Sequence, residues 1–226
     1  MEVTARQAKE TARDYAFRTL RKNIVMLKLA PGSMVSEKEL AVEMGISRTP
    51  TREALIELSK SQIVDIFPQK GSYISKIDYA LVDEARFMRL VLEKAVIEQV
   101  CELATEEDLS ELEHNISLQQ FYVDSDATGK FFQMDNDFHE QLFVIANKMQ
   151  VYHLMDSMMI HFDRVRMMRL HTDKEVKELL DDHKEIVAAI RKRDKEEASE
   201  LMTRHLSRYK VDEELIRREH PDYFIK

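Results

Sequence analysis

A single cysteine, Cys101, occurs among 226 residues, so no disulfide can form within the chain. Packing must hold the fold, and the composition suits a reducing compartment. Long apolar runs are missing too: none approaches the ~20 residues that a membrane span requires. The N-terminus lacks the apolar core of a signal peptide. A cytoplasmic protein with no membrane partner is therefore expected. Glycine and proline are scarce, four of each. Gly32, Gly45, Gly71, Pro31, Pro50 and Pro68 all precede residue 72, and neither type occurs from Lys130 to His220. Breakers gathered at one end predict short, turn-rich elements there and long helices with brief polar breaks elsewhere.

Positive charge is also short, with a formal net charge of −8. The deficit is local. Residues 1–77 hold 13 Lys and Arg against 9 Asp and Glu, whereas the remainder holds 21 against 33. A basic N-terminal module is joined to an acidic C-terminal one, and only the first suits a polyanion such as DNA. The length allows two ordinary domains, expected at 1–77 and 78–226. The expected fold is mainly α: an N-terminal winged helix-turn-helix with a small β-hairpin wing, then an antiparallel all-α helical bundle.

The first module is written most clearly from Ser36 to Leu58, S-E-K-E-L-A-V-E-M-G-I-S-R-T-P-T-R-E-A-L-I-E-L. Ser36 and Glu39 fit a capping box before an apolar run. Gly45 can take the left-handed conformation that ends a helix. Ser47 can cap a second helix whose first turn tolerates Pro50. Two helices at this spacing make a helix-turn-helix. Arg48, Thr49, Thr51 and Arg52 open the second helix, where guanidinium and hydroxyl groups can reach base edges and phosphates. Upstream, an amphipathic segment runs from Leu20 to Lys28 before the turn Ala30-Pro31-Gly32. Downstream, Ile63–Phe67 and Ser72–Ile77 have strand composition. They flank Pro68-Gln69-Lys70-Gly71, a hairpin tip placing Lys70 and Gly71 beside the recognition helix.

The run L-A-P-G-S-M-V-S-E-K-E-L-A-V-E-M-G-I-S-R-T-P-T-R-E-A-L, followed by P-Q-K-G, closely resembles the DNA-binding domain of GntR-family bacterial transcription regulators over about residues 15–77. The resemblance implies operator contacts from Arg48, Thr49 and Arg52, and a phosphate contact from Lys38. The usual residue between Pro50 and Arg52 is Val, and here it is Thr51.

After Asp78, apolar residues recur at three- and four-residue steps, as in a helical bundle. Helices are expected over about Tyr79–Leu103, from Thr105 to near Tyr122 with Asp108 in the cap, Thr128–Ala146 with Asn147 as C-cap, Val151–Leu170, Thr172 to near Lys192, and Asp194 to about Arg217. Asp135 and His139 lie four apart and share a helix face. His183 stands in D-D-H-K-E-I-V-A-A-I and His205 in R-H-L. One carboxylate and three imidazoles from three helices, if they converge, form an N3O site for zinc or another borderline divalent ion, with open positions. Spacing alone leaves the bland reading standing, since a lone histidine on a helix is more often a surface or satisfied core residue. The other five, His114, His153, His161, His171 and His220, have no comparable partner spacing.

This second portion resembles the FCD ligand-binding domain of the FadR-type GntR subgroup over about residues 80–215. The resemblance implies a divalent metal held by Asp135, His139, His183 and His205, with zinc favoured and nickel or manganese also admitted. It further implies a small carboxylate effector beside the metal, assisted by Arg89; the neighbour Arg86 reads as a solvated cation. Arg164 and Arg166 match a family arginine pattern only loosely. The methionines around Met155, Met158, Met159, Met167 and Met168 read as core and dimer-interface packing, and Arg191 and Arg217 as solvated faces. The function expected is that of a ligand-responsive regulator, not an enzyme: a repressor that binds a palindromic operator as a homodimer. Two alternatives stand beside it. One is a metal sensor in which the ion is the signal. The other is a metal-dependent hydrolase, against which no separate base or nucleophile constellation is visible.

Overall fold

The computed structural model describes residues 1–170, 173–208 and 213–225. It contains a unit made of residues 1–82, 160–164 and 213–226 and a second made of 83–159 and 165–212. The first unit runs on through the start of the helix Tyr79–Leu103 to Val82, and two later segments join it.

In the first unit, helix α1 spans Ala12–Val25, its N-cap Thr11 accepting the Asp14 N–H. It begins eight residues before the expected Leu20 because Tyr15, Ala16 and Thr19 continue the buried stripe of Leu20, Asn23 and Ile24. It stops short of Lys28 because Leu27 turns to φ 57°. Helix α2 is Glu37–Met44, capped by Ser36 as expected and closed by Gly45 at φ 67°. A Cβ at Gly45 would meet nothing within 4 Å, so substitution there costs about 1–2 kcal/mol from backbone conformation alone. Helix α3 is Arg48–Lys60. Ser47 holds the N-cap position, but its side chain makes no capping bond; instead its carbonyl accepts the Thr51 hydroxyl at 3.1 Å. Both α1 and α2 pack on α3, burying Leu20, Ile24, Leu40, Leu55 and Leu58 at 4 % exposure or less.

The wing has three strands, not two: β1 (Met34–Val35), β2 (Val64–Phe67) and β3 (Gly71–Ile74), antiparallel in the order β1-β3-β2. Phe67 pairs with Gly71 across the tip, where Lys70 N–H bonds Phe67 O at 3.1 Å. Pro68 presets the turn, Gln69 takes φ 63°, and Gly71 takes φ 105°, open mainly to glycine. The C-terminal segment closes on the exit of the wing: Ile77 and Phe224 form a parallel bridge. Arg217, expected to be solvated, lies 5.2 and 5.3 Å from the Tyr79 and Phe224 ring centroids.

The second unit is built from the rest of α4 (Tyr79–Leu103), α5 (Glu106–Asp124), α6 (Thr128–Ile145), α7 (Met149–Met158), the end of α8 (Ile160–Arg169), α9 (Asp173–Lys192) and α10 (Lys195–Ser207). Thr105 and Asp108 complete a capping box, and Asp194 caps α10. Asn147 takes φ 55° just past α6, and Lys148 N–H closes on Phe143 O at 2.8 Å, the hydrogen bond of a Schellman end. The single helix expected over Val151–Leu170 is two, broken at Met159, whose N–H bonds Asp156 O. The expected start at Thr172 lies outside the described residues. The last expected helix ends at Ser207, and α11 (Glu213–Glu219) is separate. Helix α5 packs on α6 and α9, and α9 on α10. Met155, Met159, Met167 and Met168 are buried, while Met158 is 45 % exposed.

Candidate functional site

The start of α3 presents Arg48, Thr49 and Arg52 to solvent, with Lys38 on α2 and Lys70 and Gly71 at the wing tip also exposed. Arg48 makes no ion pair among the described residues, and Arg52 only approaches Glu37, at 4.0 Å. Both guanidinium groups are therefore available to a polyanion. Thr51 corrects the sequence expectation. It is fully buried, and its hydroxyl is spent on Ser47 O, so it cannot reach a base edge. It occupies an inward position of the helix, which also explains why Val would fit there.

The metal-type residues do come together. Asp135 and His139 on α6, His183 on α9 and His205 on α10 offer ligand atoms all within 4.8 Å of one another, and all four are buried. His205 Nε2 lies 3.1 Å from His139 Nε2 and 3.3 Å from His183 Nε2. Two nitrogens bound ~2.0–2.1 Å from one metal at right-angled to tetrahedral spacing are about 2.9–3.4 Å apart, so the observed separations are those of adjacent ligands. Asp135 Oδ1 lies 3.7 Å from His183 Nε2, and it is buried without a hydrogen-bond partner. A single proton on His205 Nε2 can serve one neighbouring lone pair in good geometry; a cation serves them all. The donor set fits a divalent ion.

A second layer, invisible in the spacing, orients these ligands. His139 Nδ1 faces Glu93 Oε2 at 2.5 Å, His183 Nδ1 faces Gln119 Oε1 at 2.8 Å, and His205 Nδ1 lies 3.6 Å from Asp182 Oδ2. Phe138 stacks on His183 with centroids 4.2 Å apart. Arg166 donates to Asp135 Oδ2 and to Asn136 Oδ1 at 2.8 Å, a much closer tie to the site than its sequence pattern suggested. Burial pushes the His139 and His183 pKa values well below the imidazole range, with Arg89 adding to the effect at His139, which keeps both rings neutral as ligation requires. Burial alone would raise the Asp135 pKa, but the charge of the Arg166 guanidinium, with Arg89 adding to it, outweighs burial and holds the carboxyl well below its usual range.

Arg89 is 3 % exposed and donates from Nε to Glu93 Oε1 at 2.6 Å. Its Nη1 is buried with no hydrogen-bond partner. Arg86, by contrast, reaches only Asp83, at 3.1 Å. Gln119 was the residue hardest to foresee. Its one signal is an amide in register with the buried Leu109 and Leu112 on the apolar face of α5.

Residues 13–74 match the gntR family of bacterial regulatory proteins, and residues 84–208 match the FCD domain. The HTH-type transcriptional repressor RspR of Escherichia coli (strain K12) is 35 % identical over 92 % of this chain and 91 % of its own length. The gluconate operon transcriptional repressor of Bacillus subtilis (strain 168) is 27 % identical over 78 % of this chain and 74 % of its own. The structure of E. coli McbR/YncC superposes with a TM-score of 0.81 at 18 % identity, covering 93 % of this chain and 99 % of that one, a likeness of fold. No helix among the described residues is long and apolar enough to cross a membrane. With an exposed basic helix start in one unit, a buried ligand cluster in the other and transcriptional repressors among these relatives, the chain belongs to the GntR family of transcription regulators, in the group that carries an FCD domain.

Proposed function

We propose that this regulator is a repressor that reads a palindromic operator as a homodimer and answers to a small organic anion bound beside a divalent metal. The observation that carries the reading is the convergence of three imidazole Nε2 atoms beside an orphaned carboxylate oxygen in the buried interior of the bundle. Zinc suits the N3O set, and nickel or manganese is also compatible. The local charges favour an anionic effector over the ion acting as sole signal. Arg89 pairs with Glu93 and Arg166 with Asp135, so a bound divalent ion adds two positive charges that these pairs leave unbalanced. The unsatisfied Nη1 of Arg89 is a ready partner for a carboxylate.

Pairing into a dimer is supported by α4, which leaves Phe87 and Val91 71 % and 50 % exposed one helical turn apart. Operator contacts fall to Lys38, Arg48, Thr49, Arg52, Lys70 and the wing-tip Gly71, with the domain boundaries near those expected from sequence. The metal half of the reading is tested by elemental analysis of the purified chain and of His183→Ala and His205→Ala. One equivalent of metal in the native protein, lost in both variants along with several degrees of melting temperature, is the expected result. Full occupancy in the double variant would place the ion elsewhere.

A further inference from the structure

Helices α5, α6 and α9 are tied by a chain of three hydrogen bonds whose direction is set at one end. Asn115 Nδ2 donates to the backbone carbonyl of Met134 at 3.1 Å. Gln119 Nε2 donates to Asn115 Oδ1 at 2.7 Å. His183 Nδ1 lies 2.8 Å from Gln119 Oε1. A backbone carbonyl can only accept, so the Asn115 amide must turn its nitrogen to Met134 and its oxygen to Gln119. Gln119 must then turn its nitrogen to Asn115 and its oxygen to His183. The imidazole nitrogen facing that oxygen has to carry the proton, and the other ring nitrogen is left bare. Reversing any link sets acceptor against acceptor at a largely buried position, Gln119 being fully enclosed.

We propose that Asn115 and Gln119 are positioning residues that fix His183 as its Nδ1–H tautomer, so that Nε2 presents a bare lone pair to the space it shares with Asp135, His139 and His205. The other two histidines differ in kind. Each has a carboxylate near its outer nitrogen, Glu93 or Asp182, and a carboxylate accepts a proton donor without being oriented by anything else. An amide has a donor end and an acceptor end, so it needs a second residue to choose between them, and Asn115 makes that choice. Met134 immediately precedes Asp135, so the chain of hydrogen bonds runs from the neighbour of one ligand to another ligand, His183. The consequence for metal affinity rests on the metal reading above; the tautomer does not.

The test uses the full-length protein, metal-free and zinc-loaded. In the metal-free protein, long-range ¹H–¹⁵N NMR of the His183 ring should show Nδ1 protonated in the native chain and a mixture of tautomers in Asn115→Leu. A native ring protonated on Nε2, or an unchanged ring in Asn115→Leu, would overturn the proposal even if zinc never binds. Zinc affinity is then measured by competition with a chromophoric chelator. Loss of an outer hydrogen bond to a ligating histidine typically weakens metal binding about 10–100-fold, and Asn115→Leu and Gln119→Leu should each fall in that range. The double variant Asn115→Leu/Gln119→Glu supplies an acceptor that needs no orienting and should regain most of the lost affinity. Packing damage at Asn115 would not be repaired by a change at 119, so failure of the rescue also counts against the relay. Absence of zinc binding by the native protein would overturn the metal reading while leaving the NMR outcome to decide the tautomer.

Discussion

Thr49 and Thr51 lie two residues apart at the start of α3 and point to different worlds: Thr49 is exposed, and Thr51 is fully buried. A helix turns about 100° per residue, so of four polar residues at its start only some can face a groove. Arg48, Thr49 and Arg52 are the exposed ones. Arg48→Ala and Arg52→Ala should each remove specific operator binding while leaving the fold intact. A good bidentate base contact is worth ~1–3 kcal/mol, and a two-fold reader loses it twice. Lys38→Ala should instead weaken binding evenly across sequences and flatten the dependence on salt. Fluorescence anisotropy at fixed salt, on operator and scrambled DNA, separates the two patterns; operator affinity unchanged in both arginine variants would remove α3 as the reader. The residues that sequence revealed are those whose chemistry is local. Ser36 and Gly45 mark helix ends by propensity, and Asp135 and His139 share a face by their four-residue spacing. Glu93, Gln119 and Asp182 meet their histidines only through tertiary packing. Gln119 and His183 are 64 residues apart, and no period connects them.

At the level of elements, the first five residues of α8 belong to the DNA-binding unit, which no composition signal announced. Met159 keeps a helical conformation, φ −79° and ψ −13°, so the break before α8 carries no Gly or Pro to betray it. The two-residue β1 was likewise too short to have a pattern. The start of α8 fastens the wing: His161 Nδ1 accepts the Asp78 N–H at 3.1 Å, its Nε2 lies 3.2 Å from Gln62 O, and Arg164 donates to Ser75 O at 2.6 Å. Burial, with Arg164 adjacent, lowers the His161 pKa to about 4. In the unfolded chain the ring takes up a proton near the ordinary ~6.5. Between those values the unfolded state binds more protons, so the stability contributed by neutral His161 is complete above ~6.5 and is lost as the pH falls toward 4. His139 and His183 act in the same direction, so the comparison must be with a variant. His161→Gln should lose less stability than the native chain between pH 7 and 4.5, by on the order of 2 kcal/mol in urea titrations. Parallel curves would show that the ring does not remain neutral in the fold. Helix α4 supports a second expectation. Phe87→Glu places a charge in the exposed apolar pair, and light scattering at micromolar concentration should show a shift from dimer toward monomer. An unchanged mass would locate the dimer interface on another face.

Over the whole molecule, the formal charge of −8 divides unevenly: the C-terminal part, with 21 Lys and Arg against 33 Asp and Glu, carries −12, and a small anion would be repelled there unless a local positive centre drew it in. The cluster and Arg89 supply that centre under the proposed function, and the geometry refines how to test it. Removing Arg89 alone would strand the buried Glu93 carboxylate, which also holds His139; breaking a buried pair in this way commonly costs ~3–5 kcal/mol. A loss of effector binding in Arg89→Ala would then be confounded by damage to a ligand. The double variant Arg89→Met/Glu93→Gln removes both charges together and keeps an acceptor for His139 Nδ1. It should still hold one zinc per chain, yet bind a small carboxylate about 10–100-fold more weakly, the equivalent of one charge-assisted hydrogen bond of ~1.5–3 kcal/mol. Arg89→Lys should recover little, because an ammonium cannot reproduce the planar fork. Effector and operator must alter each other's affinity by the same factor. The effector concentration that half-shifts operator binding should therefore rise with the effector's dissociation constant across the variants. Calorimetry on the zinc-loaded chain with a panel of mono- and dicarboxylates, paired with operator titrations at each ligand concentration, measures both sides of that linkage. Equal carboxylate binding by the double variant would remove Arg89 from the site. A panel in which only neutral molecules bind would remove the anion from the mechanism. Operator affinity that responds to zinc alone would return the metal from cofactor to signal.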